Sequence, residues 1–166
     1  MSLLHRWVRG LLGIVLLAMV LLNVANAAGR YLFAASITGA DEILVFAMIF
    51  LVILGAVLAL ALRSHIALEL LPSHLKGRSA SALFVLHDLA TLCIAGFAAD
   101  ASWQFVQRIA AINPRSMALG LPMAIPHAAL LAGLAGLAAL ALFLLVRDLR
   151  ALLRAGAEAA DGGGGA

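Results

Sequence analysis

Charge is what this 166-residue chain has least of: 11 Lys and Arg and 8 Asp and Glu, 11% in all, against roughly 25% in an average soluble domain. With 65% hydrophobic residues and a mean hydropathy of +1.12, this excludes a soluble globular fold. Cysteine is nearly absent. The single Cys93 rules out a disulfide framework and any cysteine-based metal site, and within an apolar run it reads as a small core residue. Aromatics reach only 6% and are not interleaved with the basic residues, so no base-stacking surface exists and nucleic acid is excluded as a partner. There is no Gly-x-x-x-x-Gly-Lys loop, no Gly-x-Ser-x-Gly elbow and no His-Glu-x-x-His helix, which removes the usual hydrolase constellations. The chain is not read as an enzyme. No catalytic residue, cofactor or metal is expected.

What the chain does have is four long, almost charge-free runs: Leu11–Ala28, Ile43–Leu62, Ser79–Ala99 and Ala128–Val146. A helix needs roughly 20 apolar residues to cross hydrocarbon. The expected fold is therefore an all-α integral membrane domain over residues 1–154, with spans at about 11–28, 43–62, 79–99 and 126–146. A Gly-rich tail, 155–166, has too little apolar surface to order itself.

The basic residues predict the orientation, because cytoplasmic flanks carry the excess of Lys and Arg. Arg6, Arg9, Arg63, Lys76, Arg78, Arg147, Arg150 and Arg154 fall on one side; Arg30, Arg108 and Arg115 fall on the other. Both termini are expected in the cytoplasm. Arg6 and Arg9, the run Leu11–Leu22 and Ala25-Asn26-Ala27 imitate a cleavable signal peptide. Uncut, the run reaches spanning length, and the expectation is that it stays attached.

The connections differ in character. Asp41 and Glu42 stand immediately before the second span, where carboxylates suit a helix N-terminus. Ser64–Arg78 reads as a short amphipathic helix on the membrane surface, with Ile66, Leu68, Leu70, Leu71 and Leu75 apolar and His65 and Glu69 one turn apart. The third helix is expected to overrun the bilayer into Asp100–Ala111, with Trp103 and Phe105 at the interface, and to stop at Asn113-Pro114. Pro122 and Pro126 lead into the fourth span, proline being tolerated in a first helical turn.

Polar groups at depth are expensive and often functional. Asp88, beside His87, is one such group, open to a relay reading or to that of a buried acid hydrogen-bonded to another helix or subunit. With no second acid in the other spans, the buried acid is favoured. His87 and His127 invite a bis-histidine haem, but their positions along their helices put them in opposite leaflets. Ala128, Ala132, Ala135, Gly136 and Ala139 form a small-residue stripe on one face of the fourth span. Such stripes let helices approach closely in lipid. Spacing leaves open whether the stripe packs inside the chain or against another protein, with the former favoured.

Three motifs in register resemble a known family. Asn26-Ala-Ala-Gly-Arg30-Tyr31-Leu-Phe33 followed by Asp41-Glu42-Ile43, Arg63-Ser-His65-Ile66-Ala-Leu-Glu69-Leu-Leu71, and Ser116-Met-Ala-Leu119-Gly120-Leu121-Pro122 resemble segments of the DctQ-type small membrane subunit of tripartite ATP-independent periplasmic (TRAP) transporters. Glu69 stands where that family more usually has Asp, and Gly39 where it often has Trp. The resemblance spans roughly residues 20–146. It implies a bacterial inner-membrane subunit that braces a large permease subunit and helps dock a periplasmic solute-binding protein. Sodium-coupled uptake of an organic acid, of the dicarboxylate, keto acid or sialic acid class, would follow. Partner-interface candidates are then Arg30, Asp41, Glu42, His65, Glu69, Gly120, Pro122, Ala132 and Gly136, with membrane lipid as the surrounding partner. The alternatives are a self-sufficient four-helix exporter, which lacks an acid in its first span, and a membrane redox subunit, which lacks paired ligands.

Overall fold

A computed structural model describes residues 3–62 and 78–161, with side chains over 6–62 and 81–154. Among the described residues there are four helices: α1 (Leu3–Leu32), α2 (Ala40–Ala61), α3 (Arg78–Ile112) and α4 (Ala124–Asp161). All four are long and apolar enough to cross a membrane. The shortest, α2, has 22 residues, about 33 Å at 1.5 Å per residue, enough for a hydrocarbon layer of about 30 Å. Among the described residues the only β pairing is an isolated bridge between Arg115 and Pro122.

Local chemistry sets the ends. α1 closes where the amides of Phe33 and Ala35 both donate to the Gly29 carbonyl, at 3.1 and 3.0 Å. α3 stops at Asn113, whose φ of 49° is a left-handed conformation that asparagine tolerates; Pro114 then cannot continue the ladder. Asp41 and Glu42 occupy the first turn of α2. In α4, Pro126 lies in the first turn, where an amide has no intrahelical acceptor to lose.

The overrun of the third helix is present, since α3 is unbroken through Asp100–Ala111. At the other terminus α4 continues to Asp161, past Arg154, where order was expected to end. Alanine is the strongest helix former, and Ala155, Ala157, Ala159 and Ala160 account for the extension. The interfacial helix expected between the second and third spans, with His65 and Glu69, lies outside the described residues.

The chain divides into two compact units, residues 1–58 with 100–133 and residues 59–99 with 134–166. In the second, Leu60, Ala141 and Leu144 are buried together, with Leu92, Leu137 and Leu140 packed against them. Asp88 is also buried there, 1% exposed, with the His87 Nδ1 3.4 Å from its Oδ1. In the first unit, Gly133 of α4 meets Ile53 of α2 so closely that a Cβ on Gly133 would collide with the Ile53 side chain.

That contact corrects the reading of the small-residue stripe. Ala128, Ala132, Ala135, Gly136 and Ala139 are all exposed, and a Cβ on Gly136 would meet nothing within 4 Å. The face of α4 used inside the chain instead passes through Gly133, Leu137, Leu140, Ala141 and Leu144. Leucines define it as much as small residues do, so the spacing of alanine and glycine alone marks a different face.

Candidate functional site

Within the first unit, two loops, 33–39 and 113–123, are tied to the first turn of α2 by side chains. Asn26, near the end of α1 and 3% exposed, is the buried knot. Its Oδ1 accepts the Ile37 amide at 2.9 Å, and its Nδ2 donates to Asp41 Oδ1 at 3.2 Å. Arg30, one turn further along α1, reaches the other oxygen of Asp41 at 3.3 Å. Both partners of that ion pair are more than half exposed, so it contributes about 0–1 kcal/mol. The buried Asn26 amide matters more, since its two part-buried hydrogen bonds contribute about 0.5–1.5 kcal/mol each.

Glu42 has a different role. Its Oε1 accepts the Ala118 amide at 2.9 Å and its Oε2 the Leu119 amide at 3.0 Å, so one carboxylate holds two successive donors of the 113–123 loop. The loop is also bonded to itself. Ser116 donates its amide to the Leu121 carbonyl at 2.9 Å, and its hydroxyl oxygen accepts the Leu121 amide at 3.1 Å. The Met123 amide donates to the Pro114 carbonyl at 2.9 Å. Arg115 donates to the Gly120 carbonyl at 3.1 Å, and Gly120 itself turns with φ 65°.

Gly39 completes the join. It has φ 82°, and a Cβ there would come within 2.6 Å of Leu119 Cδ2. A larger residue here would displace the Leu119 side chain and adopt a strained backbone at this φ, which is a physical reason for glycine where the resembling family often has Trp. Beside the network lies a cleft of about 540 Å³ lined chiefly by Val45, Phe46, Ile109, Met117 and Met123, with Asp41, Glu42 and Arg115 among its polar groups. Met117, at the loop tip, is fully exposed.

The structure therefore brings together Arg30, Asp41, Glu42, Gly120 and Pro122 among the residues singled out from sequence. Ala132 and Gly136 lie apart from them on the exposed face of α4. His65 and Glu69 lie outside the described residues. Arg30 and Asp41 form an internal ion pair, whereas the Glu42 carboxylate serves the loop. His127 packs edge-on against Phe105, 4.7 Å between centroids. Ser116 was legible only as a motif letter, and Asn26 only as an amide near the end of a span, in reach of water or a neighbouring helix; no spacing rule marks it as a buried loop anchor.

The network gathers residues of two of the three motifs noted in the sequence. A family model, the DctQ component of tripartite ATP-independent periplasmic transporters, matches residues 17–153. No protein of curated function matches the chain. The match covers both loops, the second and third helices whole and the greater part of the first and fourth, and the chain belongs to the DctQ family, the small permease component of TRAP transporters.

Proposed function

We propose that this subunit braces a large permease subunit through the exposed faces of its helices and presents the tied loops 33–39 and 113–123 to a periplasmic solute-binding protein. The reading places both termini in the cytoplasm of a bacterial inner-membrane protein, on the eight-to-three bias of basic residues. The cargo is an organic acid of the dicarboxylate, keto acid or sialic acid class, moved with sodium by the large subunit.

The observation that carries the bracing role is how little the helices cover one another. Only 6% of the most apolar stretch of α1, and likewise of α2, is buried, and 11% for α3 and α4. In lipid, association depends on packing and small residues, and the exposed Ala132–Gly136 stripe supplies such a face. Co-expression with the large permease subunit is the test. The two should purify together in equal amounts, and Ala132→Leu with Gly136→Leu should cut that recovery severalfold while leaving this chain folded. Undiminished recovery would remove the stripe from the interface.

A further inference from the structure

Beyond the apolar run that ends at Val146, α4 carries Arg147, Arg150 and Arg154, spaced i, i+3 and i+7 and hence on one helical face. All three are exposed. Around the helix this basic ladder is flanked on one side by Val146, Leu149 and Leu153, apolar and 39%, 42% and 66% exposed. On its other side is a cleft of about 240 Å³ lined by Ser81 and Phe84 of α3 and by Arg147, Asp148 and Ala151. That is less than the roughly 300–1,000 Å³ that encloses a drug-sized ligand, and it suits a single headgroup.

Arg147 stands where ladder and cleft meet. Its Nε donates to Asp148 Oδ1 at 2.9 Å, and Asp148 is only 14% exposed. The acid is thus charge-compensated, and the guanidinium is held by one edge with its two terminal nitrogens on the other. A planar guanidinium edge matches two oxygens of a phosphate. Val146 and Phe143, exposed on the membrane side of Arg147, give the same ligand a place for acyl chains.

We propose that Arg147, Arg150 and Arg154, with the Ser81–Arg147 cleft, bind the headgroup of an anionic phospholipid. The phosphate engages Arg147, Arg150 and Arg154 supply the surrounding positive field, and the acyl chains run from Arg147 back toward the hydrocarbon along the exposed Val146 and Phe143. Each basic residue near a membrane surface contributes about 1 kcal/mol, roughly a fivefold change in affinity per arginine.

Native mass spectrometry of the full chain in detergent, titrated with phosphatidylglycerol, phosphatidylcholine or glycerol 3-phosphate, tests this. Phosphatidylglycerol should bind at least tenfold more tightly than phosphatidylcholine. Arg150→Gln and Arg154→Gln, both exposed, should each weaken it several-fold, and the triple change with Arg147→Gln should abolish the preference. Arg150→Lys with Arg154→Lys, which keep the positive field, should retain most of it, whereas Arg147→Lys, which loses the two-pronged edge, should weaken phosphatidylglycerol several-fold, separating recognition from misfolding. Equal binding of the two lipids, unchanged affinity in the single variants, or displacement of phosphatidylglycerol by equimolar glycerol 3-phosphate would overturn the proposal, the last by showing a free-anion site.

Discussion

The Glu42 carboxylate accepts the Leu119 amide across 3.0 Å, so the first turn of α2 holds a loop 77 residues further along the chain. Glu42→Ala should free that loop, raising hydrogen exchange at the Ala118 and Leu119 amides at least tenfold with little change elsewhere. Glu42→Gln presents an amide nitrogen to one of two N–H donors, keeps at most one hydrogen bond, and should give an intermediate result. Protection that stays at the wild-type level in both variants would show that the loop holds itself.

Asn26 and Arg30 provide a contrast of burial. Asn26→Ala removes two part-buried hydrogen bonds, from the Ile37 amide and to Asp41, and should lower the melting temperature in detergent clearly, in line with about 0.5–1.5 kcal/mol for each. Arg30→Gln removes only an exposed ion pair and should shift it little, in line with about 0–1 kcal/mol. Equal shifts would contradict the assignment of Asn26 as the anchor.

Gly133→Ala drives a methyl group into Ile53, and overpacking typically costs about 1–3 kcal/mol. Thermal unfolding should show the loss, and Ile53→Ala in the same chain should restore part of it. Gly136→Ala, on the open face, should leave the melting temperature unchanged. The reverse order would return the stripe to the interior of the chain.

The four helices long enough to span a membrane and the end of α3 at Asn113 were legible in the sequence, because span length and the Asn113-Pro114 stop act locally and need no tertiary context. Two features were not. Which face of α4 packs inward depends on where Ile53 and Leu60 sit on α2 and Leu92 on α3, information that a periodicity of alanines does not contain. Glu42 reads locally as a helix-start carboxylate, and its role as the acceptor for Ala118 and Leu119 arises only when a distant loop is brought beside it. The same holds for Asn26, whose partners at Ile37 and Asp41 are set by the path of the 33–39 loop.

Orientation is tested by reporter fusions. Fusions at Lys76 and at the C-terminus should report cytoplasm, and fusions at Ala35 and Ile112 periplasm. A periplasmic Lys76 would invert the docking face.

Reconstitution into proteoliposomes tests the accessory role most directly. This chain alone should move no organic acid under a sodium gradient, and uptake should appear only when the large permease subunit and the solute-binding protein are added. Substrate-specific, sodium-driven uptake by this chain alone would contradict it.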